Sequence, residues 1–578
     1  MQEYKQLRRN LKLPGIDRLP MLRVALLGDT ATQSLSIALR GMAIERGYRL
    51  DLYEADYNQV EQQVLDPTSE LHCFAPDYIF LFQSTHKLGE AHSLMNQSER
   101  ESLASRRLAF VAQCCQLTSA RVVCLNYPVL DDAIFGSYAN HVPSSLTYQV
   151  RLLNVGLMQL TQQHANLFIC DIEALNGKLG RDQMFAANQY ITTDMILSIS
   201  ALPYVASRVM DVITAIQGKA KKCLIMDLDN TLWGGVIGDD GMEGIQLGHG
   251  LGIGKAFSEL QMWIKKLRDR GIILCVCSKN DEAVAKEPFL HHPDMVLRLS
   301  DIAVFMANWE TKVDNIRAIQ QVLNIGFDSM VFIDDNPFER NMVREHIPGI
   351  TVPELPEDPG DYLEYLYGEN LFETASFDDA DRDRTAQYQV EAERVSLAKS
   401  FTCEQDFLRS LQMVSTVSGF TRFNTPRVAQ LTQRSNQFNL RTVRYTEADI
   451  AAFAADPDII DLAFTLEDRF GDNGLIAVIV MRRTDAQTLF IDTWLMSCRV
   501  LKRGMEQFTL SQMVLRARQA GYRYLVGEYL PTAKNNMVSD LYQRLGFTPI
   551  EGAETARFSL DTESFINIEC NITTDNSN

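Results

Sequence analysis

KKCLIMDLDNTLWGG, residues 221–235, contains an apolar run at 223–226 long enough for one buried strand. The run ends in two carboxylates, Asp227 and Asp229, followed by Thr231. Later runs repeat the pattern: IILCVC at 272–277 leads into Ser278, Lys279 and Asn280, and MVFI at 330–333 leads into Asp334 and Asp335. Between them, residues 255–270 and 311–323 carry apolar stripes at helical spacing with charges opposite. Strands alternating with helices predict a parallel sheet covered on both faces, binding ligands outside the carboxyl ends of its strands. All the polar residues just named fall there, so Thr231, Ser278, Lys279 and Asn280 are candidate substrate contacts. The acids cannot all stay ionised in one crevice without a cation. An all-oxygen set with no histidine or cysteine favours Mg²⁺. A lone Asp-x-Asp is as well explained by capping of the next helix; several motifs in register point to a site.

The DLDNT stretch, Ser278, Lys312 and the Asp334-Asp335 pair resemble, in order and spacing, the motifs of the haloacid dehalogenase (HAD) superfamily of phosphatases. The resemblance implies that Asp227 is the nucleophile that takes the phosphoryl group. It implies that Asp229 protonates the leaving oxygen and then activates water, while Ser278 and Lys312 hold the phosphoryl oxygens. Mg²⁺ would sit between Asp227, the backbone carbonyl of Asp229 and one or both of Asp334 and Asp335. Such chemistry rests on in-line positioning and on neutralising equatorial charge, which a metal and a lysine supply. Between the first two motifs, TLWGGVIGDDGMEGIQLG (231–248) predicts a hairpin or flap followed by a single helix. No inserted cap domain fits there. The site is expected to be open to a bulky substrate or closed by another part of the chain.

At 578 residues the chain is too long for one core, and its length predicts about three or four domains. A net charge of −19 argues against a nucleic-acid groove or an anionic membrane as partner. No run of 18 apolar residues occurs, and MQEYKQLRRNLKLPG at the start lacks the apolar core of a signal peptide. The 11 cysteines are scattered without metal-ligand spacing, as expected for reduced core residues of a cytoplasmic protein.

Residues 1–216 predict a separate α/β domain. LRVALL (22–27) is a strand leading into Gly28, Asp29 and Thr30, and further buried strands are expected at 50–53, 78–82, 121–125 and 167–171. GDT before a helix, with Asn126 closing a later strand, resembles a worn SGNH hydrolase pattern. Threonine stands where that family has its serine, and there is no Asp-x-x-His near the domain's end, so Thr30 lacks a base. This domain is expected to bind or scaffold rather than hydrolyse, with His141 and His164 as surface or core residues.

The HAD-like segment spans 217–355 and ends in a proline-rich break, followed by a helical connector at 356–411. From 412 to 565 strands and short helices alternate, leaving a tail at 566–578. LFIDTWLM (489–496) runs into Ser497, Cys498 and Arg499; Lys502, Arg503 and Gly504 precede a helix, with Asn535, Tyr542 and Phe547 beyond. This order resembles the GNAT acyltransferase fold, in which backbone amides at the turn cradle the pyrophosphate of coenzyme A or the pantetheine arm. Lys502 takes a place usually held by glycine. The fold class is thus α/β and multidomain: a Rossmann-like HAD sheet between an SGNH- or flavodoxin-like domain and a GNAT-like α+β domain.

With RSNQFNLRTVR (434–444), LEDRFGDNGLI (466–476) and SCRVLKRGMEQ (497–507), the combination resembles FkbH-like proteins over nearly the whole chain, and the HAD part resembles HAD subfamily IIIC. That resemblance implies loading of a glyceryl unit from a phosphorylated donor, 1,3-bisphosphoglycerate, onto an acyl carrier protein with loss of phosphate. Capturing an acyl group needs a thiol, and Cys498 is the candidate because Arg499, Lys502 and Arg503 beside it favour a thiolate. It is as well explained as a small apolar side chain in a strand. Arg499, Arg503, Asn535 and Tyr542 are candidate substrate contacts, and phosphopantetheine or coenzyme A a candidate cofactor. The alternatives are a plain HAD phosphomonoesterase, a CoA-dependent N- or O-acyltransferase, and a non-enzymatic scaffold.

Overall fold

The computed structural model describes the chain apart from residues 1–2, 57–58, 378–383, 399–400, 402, 498–499, 533, 553–554 and 576–578. It forms two compact units, Met1–Ile216 and Gln217–Asn578.

The first unit is built on five parallel strands: β1 (Met21–Gly28), β2 (Arg49–Glu54), β3 (Tyr78–Phe82), β4 (Arg121–Leu125) and β5 (Leu167–Cys170). Their order, β2-β1-β3-β4-β5, is that of a flavodoxin-like sheet, with its switch point between β1 and β3. The central strands are apolar throughout because helices cover both faces; β3 is buried at every position. Asp29 leaves β1 at the switch point, where its Oδ2 accepts the Ser84 N–H at 2.9 Å. Thr30 is buried beside it. Asn126 accepts the Ile172 and Glu173 N–H groups and donates to Asp171, so it holds the start of the helix Ile172–Leu179. His141 is exposed and stacks on Tyr138.

The second unit holds two sheets. One has four parallel strands in the order β8-β7-β6-β9: β6 (Cys223–Met226), β7 (Ile273–Ser278), β8 (Ile302–Ala307) and β9 (Met330–Ile333). The helices Ile253–Asp269 and Lys312–Leu323 bury their apolar faces on it. The expected flap, 231–248, closes as a short antiparallel bridge, Gly234 to Gln246, around the helix Ile237–Gly244.

The other sheet has nine strands and is mostly antiparallel, with one parallel pair inside it and another at its edge. It comprises β10 (Met413–Ser415), β11 (Val417–Ser418), β12 (Ile459–Asp468), β13 (Gly471–Arg483), β14 (Thr488–Met496), β15 (Tyr524–Tyr529), β16 (Thr548–Pro549), β17 (Ala556–Asp561) and β18 (Ile572–Thr574). β14 and β15 run parallel but stay paired with each other only as far as Ile491 and Gly527, beyond which β14 continues to Met496 on β13 and β15 to Tyr529 on β17. Diverging strands leave backbone groups that need partners. Here residues 438–440 supply them: Asn439 bridges Leu495, the Met496 N–H reaches the Phe438 carbonyl at 3.1 Å, and the Leu530 N–H reaches the Leu440 carbonyl at 2.9 Å. Phe438 and Leu440 are buried in the same wedge.

Connector and seam join the two sheets. The helix Arg384–Ala398 buries Tyr388 in the core of the four-stranded sheet, and Arg394 on the same helix pairs with Asp468 of β12 at 2.7 Å. Gly218, at φ +72°, passes so close to the helix Thr425–Arg434 that a Cβ would lie 2.0 Å from the Gln433 carbonyl oxygen. Only glycine fits that crossing. Among the described residues no helix is long and apolar enough to cross a membrane.

Asp29 makes a testable pH effect. Burial pushes its carboxyl up to about 7, against the Ser84 N–H and the Arg107 charge. Between about pH 4 and 7 the folded chain therefore holds a proton that the unfolded chain has released, and stability falls as pH rises through that window. Asp29→Asn keeps the acceptor oxygen and removes the charge. It should flatten the decline and stabilise the first unit by roughly 2–4 kcal/mol at pH 8, measured by pulse proteolysis of the whole chain in urea at pH 5 and pH 8.

Candidate active site

β6, β7 and β9 end side by side, so the residues that follow them meet at one edge. Asp227 follows β6 directly, and its N–H bonds to the Ile333 carbonyl at 3.0 Å, which fixes it against the end of β9. Asp334 follows β9; its Oδ1 accepts the Asn336 N–H at 2.8 Å. Asn336 in turn caps the helix Pro337–His346, whose proline stands at the first turn where its missing N–H costs nothing. Oxygens of Asp227, Asp334 and Asp335 all lie within 4.8 Å of one another.

Lys312 enters from the third side. It is the first residue of its helix, capped by Thr311, where the positive end of the helix dipole disfavours a cation. Two carboxylates offset this: its Nζ lies 2.7 Å from Asp227 Oδ2 and 2.5 Å from Asp334 Oδ2. Lys312 and Asp334 are 4% and 0% exposed, so this is a buried triad, not a surface pair. Burial alone would push the ammonium down, but Asp227 and Asp334 outweigh it and hold it protonated. Burial and the neighbouring Asp227 charge push Asp334 up to about 7, with Lys312 opposing them. Asp335 is raised by the same two causes.

Asp229 stands apart from the carboxylate cluster. Its Oδ1 accepts the Trp233 indole N–H at 2.9 Å and the Ile237 N–H at 3.0 Å, and its Oδ2 accepts from Asn280 at 3.1 Å. The flap thus grips one carboxylate, and burial raises its proton affinity above the usual range. Trp233 is wholly buried against Phe289, and Tyr362 from the connector donates to the Asn230 carbonyl at 3.4 Å, pinning the base of the flap.

Of the other candidates, Ser278 ends β7 and is buried at this edge, and Lys279 pairs with Glu339 at 2.5 Å. Thr231 is 0% exposed, and its hydroxyl accepts the Asp335 N–H at 3.1 Å, so it positions that acid. Arg503 is buried between Glu391 and Asp468, closing a charge network with Arg394 that ties the connector to the nine-stranded sheet. Asn535, 0% exposed, donates to the Asn439 and Leu530 carbonyls and so staples the 438–440 wedge. Tyr542 packs against Trp494, Phe547 and Phe558, with its phenol pressed on Gly527, out of reach of a dissolved ligand. Cys498 and Arg499 lie outside the described residues. Lys502 has φ +63°, the left-handed conformation that glycine adopts at least cost.

Two residues were not foreseen. Arg340, buried on the helix after Asp335, donates to the carbonyls of both Asp334 and Asp335 at 2.8 and 2.6 Å. The signal lay in its spacing from the acidic pair, one helical turn beyond Asn336-Pro337. Trp233 was visible only as part of the flap.

Residues 23–214 match the family described as FkbH, N-terminal domain. The N-terminal part of the protein BF1531 from Bacteroides fragilis, a crystal structure containing a phosphatase domain complexed with Mg, is 61% identical; the match covers 65% of this chain and 100% of that one, with a TM-score of 0.64. The ribosomal-protein-S18-alanine N-acetyltransferase of Escherichia coli matches at 16% identity over 25% of this chain and 90% of its own, with a TM-score of 0.19. The GNAT domain of S. lividans PAT matches at 16% identity over 25% and 89%, with a TM-score of 0.21. No curated protein matches.

Removing only the ammonium tests the triad. Lys312→Met should destabilise the metal-free protein by about 3–5 kcal/mol, because it leaves Asp227 and Asp334 buried without a counter-charge. The loss should shrink as pH falls through about 7, where Asp334 takes a proton, as read by urea unfolding in EDTA.

Proposed function

This chain belongs to the FkbH-like family and carries a phosphatase domain of the HAD type; on that premise we propose that it strips phosphate from a phosphorylated acyl group destined for an acyl carrier protein. By family resemblance the acyl group is glyceryl, taken from 1,3-bisphosphoglycerate. The observation that carries the phosphatase step is the convergence of Asp227, Asp334 and Asp335 around buried Lys312.

Asp227, oriented by Lys312, attacks phosphorus; the bond to the leaving oxygen breaks as an aspartyl phosphate forms. Asp229, whose raised proton affinity suits a donor, gives a proton to the leaving oxygen and then takes one from the water that releases inorganic phosphate. Its grip by Trp233, Ile237 and Asn280 aims it. The three carboxylates form a hard oxygen set that suits Mg²⁺, which when bound would neutralise charge on the phosphoryl oxygens. Ser278, buried at the end of β7, would contribute a hydroxyl to those oxygens.

The acyl step is assigned to Cys498. Its thiolate would attack the acyl phosphate carbonyl and expel phosphate, and the acyl group would then pass by thioester exchange to a carrier thiol. Trp309, in the loop beyond β8, and Phe338, in the first turn of the helix Pro337–His346 beyond β9, are exposed side chains that suit contact with a carrier protein. The wedge at 438–440 weighs against coenzyme A in the cleft between β14 and β15.

Mg²⁺ at 100 times its dissociation constant should raise stability by about 2.7 kcal/mol, and Asp334→Asn should abolish that gain. Asp227→Asn should lower turnover of a phosphomonoester at least ~10³-fold. Intact-mass spectrometry with 1,3-bisphosphoglycerate should show a phosphoglyceryl adduct in Asp227→Asn that Cys498→Ala lacks; absence of any adduct would leave the phosphatase alone. Trp309→Ala with Phe338→Ala should raise KM for a carrier-borne substrate several-fold while leaving that for a free phosphomonoester unchanged.

A further inference from the structure

A cavity of about 450 Å³ lies between the amino ends of the four-stranded sheet and the nine-stranded sheet. Its volume falls in the range of small-molecule sites. Lys222 and Ser329 precede β6 and β9 on one wall, while Arg427 and Arg434 come from the helix Thr425–Arg434 on another. Lys534 completes the set, so the described lining holds four cations and one acid, Asp328. The chain as a whole has the opposite bias, 74 acidic against 55 basic residues.

The cations are held in position. Lys222 donates to the Arg434 carbonyl at 3.1 Å, the Arg434 guanidinium donates to the Ser376 carbonyl at 2.6 Å, Arg427 bonds to Gln430, and Lys534 pairs with Asp328. Burial would raise Asp328, but Lys534, Lys221 and Lys222 outweigh it and keep the carboxyl below its usual range. Lys219, in the same strand-entry segment, is pushed down to about 8 by burial first and by Lys534 second, with Asp328 opposing. Leu431, Phe438 and Met496 add an apolar part to the same lining. Fixed cations beside an apolar surface are an arrangement that holds an anionic head and a short uncharged body.

We propose that this cavity is a second ligand site, distinct from the carboxylate centre, that takes the phosphate group of a small phosphorylated molecule, with its body against Phe438 and Met496. The site does not depend on the phosphatase reading, since it stands at the opposite end of β6. Two sources share this chemistry: a phosphorylated acid or the phosphate of a pantetheine arm.

The test is calorimetric titration of full-length Asp227→Asn in EDTA, which disables the carboxylate centre, with inorganic phosphate, 3-phosphoglycerate and 4′-phosphopantetheine. Saturable binding that weakens at least tenfold in Arg427→Met and in Lys534→Met supports the site; the tighter of the two organic ligands names its source. In an otherwise native background both variants should keep phosphatase turnover, showing that they fold. If either variant is unfolded, lysine acetylation of the unmutated protein serves instead, with the ligand expected to protect Lys222 and Lys534. Absence of binding by all three ligands, affinity unchanged in both variants, or no protection overturns the proposal.

Discussion

One buried ammonium between two buried carboxylates governs the phosphatase half of this protein. Lys312 cannot occupy the first turn of its helix without Asp227 and Asp334, and those acids cannot share the crevice without Lys312 or another cation. The parallel sheet makes the meeting possible, because it delivers the ends of β6 and β9 to adjacent points and the start of the Lys312–Leu323 helix to a third. Everything around the triad restrains it. Thr231 and Arg340 fix the turn at Asp335, Asn336 starts the next helix, and the flap takes Asp229 out of the repulsive cluster and gives it donors of its own. A site so constrained is organised before substrate arrives, the condition under which fixed charges are most effective.

Much of this was legible in the residues. A short apolar run ending in Asp-x-Asp, a second ending in serine, and a third ending in Asp-Asp define strand ends whatever the wider context, and β6, β9 and the Lys312 helix lie within a residue of the expected spans. Hydrophobic period and motif order are local properties, and a sequence carries them directly. Non-local packing it does not carry. Arg503 read as a free cation at a turn, yet the connector helix brings Glu391 to it from more than a hundred positions away and Asp468 comes from β12. Asn535 and Tyr542 sat at familiar-looking positions, but their burial depends on what the neighbouring strands leave open. Thr231 looked like a ligand contact because its partner, Asp335, lies in another motif.

The two ends of the four-stranded sheet have opposite electrostatic character. Acids crowd its carboxyl end and cations its amino end, with strand β6 as the spacer. Helices on a parallel sheet point their positive ends toward the carboxyl edge, so the acidic end is the one the backbone itself favours for negative groups. The cationic end has to be built from side chains, and Lys222, Arg427, Arg434 and Lys534 are drawn from both halves of the unit. Its integrity therefore depends on the seam held by Gly218 and the connector helix.

The wedge at 438–440 changes what the gap between β14 and β15 can be used for. A gap filled by a tethered segment is never in equilibrium with bulk solution alone; the resident competes at an effective concentration of the order of millimolar. Any extended guest, whether peptide or cofactor arm, would first have to outbid a tenant that cannot diffuse away and that Asn535 holds by its backbone. That half of the chain is consequently better suited to being a rigid wall for its neighbours than a receptor for something that comes and goes.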